Sequence, residues 1–176
     1  HNFSEITNYN QWKVNIPIRD YEELKNYIQQ IIEGKENVLW PGVPLYFCKT
    51  SGTTSGTKYI PISKESMPNH ITGGRDAMLS YIAETKNTSI VNGKMIFLQG
   101  SPKLSKTGDI LTGRLSGIVA HHTPSYLIKN RLPSYKANCI EDWESKIDAI
   151  VEETLPENMS LISGIPPWVQ MYFEKL

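Results

Sequence analysis

The sequence predicts an α/β fold: a mainly parallel sheet with flanking helices and a small antiparallel hairpin region. Three observations carry that expectation. From Leu45 onward, short apolar runs alternate with stretches of helical period, the order in which parallel sheets are built. Residues 94–99, KMIFLQ, are apolar on both faces, as a strand covered from both sides must be. Residues 140–155 place Trp143, Ile147, Ile150 and Val151 on one stripe, the face a helix lays against a sheet.

The bulk numbers set the limits. A chain of 176 residues can bury one core but not two large ones. Its 18 acidic residues balance 18 Lys and Arg residues, so no field draws it to nucleic acid or a membrane surface. No apolar run is long enough to span a bilayer. Cys48 and Cys139 are too few for a disulfide framework. Both lie among apolar residues and read as buried free thiols, which suits a reducing cytoplasm. The first residue is His1 rather than Met, and no signal peptide is visible.

Residues 1–15 carry Phe3, Tyr9 and Trp12 without a clear period, an irregular lead-in or a short helix. Asp20 then caps a helix, and Glu23 three residues on completes a capping box. Leu24, Tyr27, Ile28, Ile31 and Ile32 form its apolar face, and Gly34 ends it. Residues 1–44 are thus a helical lead-in, and 45–176 the α/β part. Residues 45–48 are a strand, and 59–62 a second apolar run. Ser63 is positioned to cap a helix over about 64–84, with Met67, Ile71, Met78 and Ile82 on one side. Gly73 and Gly74 fall mid-helix, each costing about 1 kcal/mol against Ala. They imply a break or a close approach.

Residues 100–117 are rich in Gly, Ser, Lys and Thr, and Lys106-Thr107-Gly108-Asp109 reads as a hairpin turn. His121 and His122 are adjacent, so they point apart. Without Cys or acidic neighbours they read as structural or pocket-lining rather than as metal ligands. Residues 124–131 suggest a short helix and 159–163 a strand. Residues 164–167 turn into a last helix over 168–176.

Residues 49–61, KTSGTTSGTKYIP, carry the chemistry. Six Ser or Thr hydroxyls and two glycines fall within residues 50–59. Glycines let backbone N–H groups point inward at an anion, hydroxyls donate to phosphate oxygens, and Lys58 adds charge. A flexible surface turn has the same composition. The common phosphate loop needs four residues between its glycines and a Lys directly after the second. Here three separate Gly52 from Gly56, and Thr57 precedes Lys58.

Thr50-Ser51-Gly52-Thr53-Thr54, with Lys58 following, resembles the phosphate loop of the adenylate-forming enzymes, the acyl-CoA synthetase and luciferase superfamily. The extra Ser55 before Gly56 is similar to the variant loop of the auxin-responsive acyl-acid amido synthetases. A second segment, Val14-Asn15-Ile16-Pro17-Ile18-Arg19-Asp20-Tyr21-Glu22-Glu23-Leu24 with Tyr27-Ile28, resembles that family's stretch upstream of the loop. The resemblance is sharp over residues 12–63.

What the resemblance implies is a two-step ligase. It uses ATP and Mg²⁺ to adenylate a carboxylic acid, then joins the acid to an amino acid. Ser51, Thr53 and Thr54 would donate hydroxyls to phosphate, Gly52 and Gly56 would admit the backbone, and Lys58 would add charge. Thr50 and Ser55 come second. Arg75, on the helix after the loop, reads either as a solvated residue or as a cation lining the acid pocket. Asp109 is not the family's ribose-binding carboxylate, because it follows the loop too closely and lacks the preceding tyrosine element. The adenine, ribose and C-terminal lysine elements of such enzymes do not occur in this sequence. The expectation is therefore a single fragment of the large N-terminal domain, cut at both ends, lacking the C-terminal domain and inactive alone. Its partners would be a small carboxylic acid and an amino acid, with no nucleic acid or membrane.

Two other classes compete. A non-catalytic nucleotide- or anion-binding module would need only the loop. A hydrolase using Ser51 or Ser55 would need a nucleophile elbow and an oriented histidine, and the sequence shows neither.

Overall fold

A computed structural model describes residues 3–50 and 56–176. Helix α1 spans Tyr9–Asn15 and α2 spans Tyr21–Ile32. The capping box at α2 forms as expected. The Glu23 N–H donates to Asp20 Oδ1 at 3.0 Å, and the Asp20 N–H donates to Glu23 Oε2 at 3.0 Å. Gly34 ends the helix with a left-handed φ of 90°, which glycine alone adopts without strain.

Strand β1, Tyr46–Thr50, pairs antiparallel with β2, Lys58–Ile62. Helix α3 follows, Met67–Thr85. It begins three residues later than expected. The Ser63 hydroxyl accepts from the Ser66 N–H at 3.1 Å, which makes a turn of residues 63–66 before the helix proper. Gly73 and Gly74 neither break α3 nor admit a close neighbour, since a Cβ on either would meet nothing within 4 Å.

Next come β3 at Lys94–Leu98, then the hairpin of β4, Ser105–Thr107, and β5, Ile110–Gly113. Gly108 makes the expected turn at φ 59°. Three short elements were not legible beforehand: α4 at Leu115–Ala120, β6 at Arg131–Leu132 and α6 at Tyr135–Asn138. Each is too short to show a period. Between them lies α5, Ser125–Ile128. The chain ends with α7, Trp143–Thr154, β7, Met159–Gly164, and α8, Pro166–Lys175.

The strands divide between two sheets, in the orders β2-β1-β5-β4 and β6-β3-β7. Pairs β1/β5, β3/β6 and β3/β7 are parallel, while β1/β2 and β4/β5 are antiparallel. Successive side chains on a strand face opposite ways, and this sets the core. On β1, Phe47 packs with Ile28 and Ile31 of α2 and with Ile110. Its neighbour Tyr46 packs on the other side with Ile62, Met67 and Ile118. On β3, Ile96 and Leu98 meet Ile147 and Ile150 of α7 and Tyr172 of α8. Met95 and Phe97 face the other way, toward a cavity beneath α3.

Cys48 and Cys139 are both free and half-buried rather than fully enclosed. Among the described residues no helix is long and apolar enough to cross a membrane.

Candidate functional site

Two places on the molecule concentrate chemistry, one beside β1 and one beneath α3. The first is the open end of the β1–β2 hairpin. Thr50 stands opposite Lys58 in the ladder, so the Ser/Thr/Gly segment joins two paired strands. Ser51, Gly52, Thr53, Thr54 and Ser55 lie outside the described residues. Gly56, on the return side, has φ 80°, the left-handed conformation glycine adopts freely.

Lys58 is held over an aromatic face, its Nζ 5.2 Å from the Tyr21 ring centroid. The Tyr21 hydroxyl also accepts from the Tyr59 N–H at 2.8 Å. Tyr21 is the first residue of α2, directly after the cap, so the capping box fixes where this ring stands. Beside the hairpin a shallow cleft of about 600 Å³ is lined by Cys48, Lys49, Thr50, Thr57, Arg114 and Ser116, among others. Two of these are cationic. Burial pushes the Cys48 thiol above its ordinary pKa, which makes it a poor nucleophile. Lys49 Nζ donates to Ser105 Oγ at 3.3 Å. Sequence reading missed Arg114. It arrives there because β1 and β5 pair in parallel with Cys48 beside Gly113, a register no local pattern announces.

The second place is a cavity of about 620 Å³ between α3, the β3–β7 sheet and α5. Its walls are mostly apolar, among them Met78, Ile82, Phe97, Val119 and Leu127. Gly74 lines it as well, and the missing side chain leaves space open there. Arg75 reaches the lining, but its guanidinium grips Asp76 Oδ1 at 2.8 and 2.9 Å and both side chains are more than half exposed.

A second arginine, Arg131 of β6, also lines this cavity. It is half-buried, and burial lowers its pKa. Its Nη1 donates to Thr123 Oγ1 at 2.6 Å, and its guanidinium lies 5.3 Å from the Phe97 ring centroid. It belongs to none of the ion pairs among the described residues. Gln99 lines the same space, and its Nε2 is buried without a hydrogen-bond partner. Sequence reading missed both. The signal available was weak: Gln99 continues the Met95, Phe97 alternation, and Arg131 precedes a Leu-Pro.

His121 and His122 point apart, as adjacency dictates. His122 Nε2 lies 3.0 Å from the Tyr46 hydroxyl, and His121 Nε2 lies 2.7 Å from the Pro102 carbonyl oxygen. Among the described residues no group of three or more His, Cys, Asp or Glu side chains could hold a metal ion.

Residues 1–144 match the GH3 family N-terminal domain. The chain belongs to the GH3 family. Two solved GH3 structures share its fold. One is "GH3.15 acyl acid amido synthetase", at TM-score 0.60 and 16% identity over 82% of this chain and 25% of that one. The other is "AtGH3.15 acyl acid amido synthetase in complex with 2,4-DB", at TM-score 0.60 and 19% identity over 81% of this chain and 25% of that one. Comparison with curated proteins finds no match. The chain spans about a quarter of the length of these GH3 structures. The resemblance seen in the loop and in the segment before it is therefore one of family.

Proposed function

We propose that this chain carries the ATP phosphate-binding loop of an acyl-acid amido synthetase. It forms one unit of the N-terminal adenylating domain, with residues 1–44 as lead-in and 45–176 as the α/β part. The observation that carries the reading is the hairpin of a GH3-family chain whose open end joins six hydroxyls and two glycines to Lys58. Lys49 and Arg114 beside it add the positive charge a polyphosphate calls for.

In the proposed first step a carboxylate oxygen attacks the α-phosphorus of ATP. A P–O bond forms, and the bond to the departing pyrophosphate breaks. In the second step the amine of an amino acid attacks the acyl carbonyl, the C–O bond to the adenylate breaks, and AMP leaves. Ser51, Thr53 and Thr54 donate to the β- and γ-phosphates, Gly52 and Gly56 give the backbone access, and Lys58 offsets developing charge. Mg²⁺ supplies further charge neutralisation when bound. The described residues offer it no group of three or more His, Cys, Asp or Glu side chains. Arg75 lines the acid cavity from α3. The half-buried free thiols suit the cytoplasm.

Nucleotide binding to the 176-residue chain tests this reading. Lys58→Met and Ser51→Ala should each weaken ATP binding by about tenfold, the scale of one charge-assisted hydrogen bond. A chain that folds and binds no ATP, or variants that bind it as well as the parent, would end the proposal. Acid-dependent exchange of pyrophosphate into ATP should be absent from this chain alone. Robust exchange would show that it holds more of the catalytic apparatus than proposed.

A further inference from the structure

Inside the cavity beneath α3 a cation lacks a counter-charge. A half-buried guanidinium is costly to leave unmatched. The Thr123 hydroxyl and the Ala120 carbonyl both accept from Nη1 of Arg131, the Phe97 ring lies against the guanidinium, and no described carboxylate pairs with it. A donor with nothing to donate to, the buried Nε2 of Gln99, lines the same space. The unmatched part of a guanidinium and an amide donor without an acceptor, in a mostly apolar chamber, describe the complement of an anion with an apolar body.

We infer that Arg131 is the carboxylate-recognising cation of this cavity, that Gln99 supplies a second donor, and that the ligand is a small carboxylic acid with an aromatic or aliphatic body. The guanidinium fork meets the carboxylate face on. Gln99 turns about its terminal C–C bond to present Nε2. Phe97 supports Arg131 from behind, and Met78, Ile82 and Leu127 cover the apolar body. Arg75 does not take this role, because Asp76 already occupies its guanidinium and both are open to water. The inference deepens the acid-activating reading and rests on it for the fate of the bound acid.

The test is binding of phenylacetate against its neutral twin, phenylacetamide, to the 176-residue chain without ATP. The methyl signals of Met78 and Met95, both on the cavity wall, report where each binds. In the parent chain the acid should bind at least about tenfold tighter than the amide. Arg131→Gln should bring the acid down to the amide's affinity and leave the amide unchanged, while Arg75→Gln should leave the ratio as it was. Arg131→Lys, which keeps the charge but loses the fork, should retain part of the preference. Gln99→Glu should erase it by placing a like charge in the chamber. Equal affinities in the parent chain, no binding by either compound, or a ratio that survives Arg131→Gln would overturn the inference. The parent-chain comparison needs no variant, so misfolding of one cannot shelter it. ATP binding without acid–amide discrimination sinks this inference alone, and acid binding without ATP binding sinks the proposed function alone.

Discussion

The Tyr21 hydroxyl accepts the backbone N–H of Tyr59 at 2.8 Å, while the Lys58 ammonium sits 5.2 Å from the centre of the same ring. One side chain at the start of α2 thus holds two consecutive residues on the return strand of the hairpin. Since the cap at Asp20 places Tyr21, the start of α2 and the first residues of β2 are tied together. This gives the spacing between the two sequence segments a physical reason. Tyr21, the first residue of α2, must reach Tyr59, the second residue of β2, 38 residues later.

Tyr21→Phe should cost about 1 kcal/mol in denaturant unfolding, the worth of one hydrogen bond, and should leave ATP affinity nearly unchanged because the ring still faces Lys58. Tyr21→Ala removes the ring as well and should weaken ATP binding. Parent-like ATP affinity in Tyr21→Ala would show that the ring does not position Lys58.

Two kinds of glycine should behave oppositely. Gly73→Ala, in the exposed middle of α3 with open space around it, should raise stability by about 0.5–1 kcal/mol. Gly108→Ala should lower it, because the backbone is left-handed there and a Cβ would run into the Ile32 carbonyl oxygen at the end of α2. Thermal unfolding of both variants decides it, and a stabilised Gly108→Ala would contradict the turn described.

Asp142 caps α7. The Ser145 hydroxyl donates to its carboxylate at 2.6 Å and the Ser145 N–H at 2.8 Å, and these bonds hold its pKa below the ordinary value. A carboxyl depressed in the folded state contributes stability above its unfolded pKa. That contribution is lost as pH falls through the folded pKa. Ser145→Ala should therefore raise the Asp142 pKa toward the ordinary value, read by side-chain NMR titration. It should also make acid unfolding begin at a slightly higher pH. An unmoved titration would show that the hydroxyl is not the cause.

The elements legible in advance were those with a local mechanism. The capping box at Asp20 and Glu23, the glycine stop at Gly34, the turn at Gly108 and the apolar run of β3 each depend on residues within a few positions of one another. The helix over Trp143–Thr154 showed itself by period, although Lys146, buried on the same element, did not. Its ammonium donates to the carbonyls of Asn138 and Gln99, partners that no helical wheel contains. Likewise Gly73 and Gly74 read as a break or a close approach because propensity is local, yet α3 runs through them with open space beside both.

From residues alone came the α/β class, the segment of glycines and hydroxyls between two apolar runs, and the family that this segment and the one upstream of it resemble. Chain folding then chose the partners across distance. It split the strands into two sheets, set Tyr21 beneath Lys58, brought Arg114 beside the hairpin, and left Arg131 rather than Arg75 without a counter-charge in the cavity. The division is physical. Caps, turns and periods are written in neighbouring residues, whereas strand register and the burial of a charge depend on which distant segments meet.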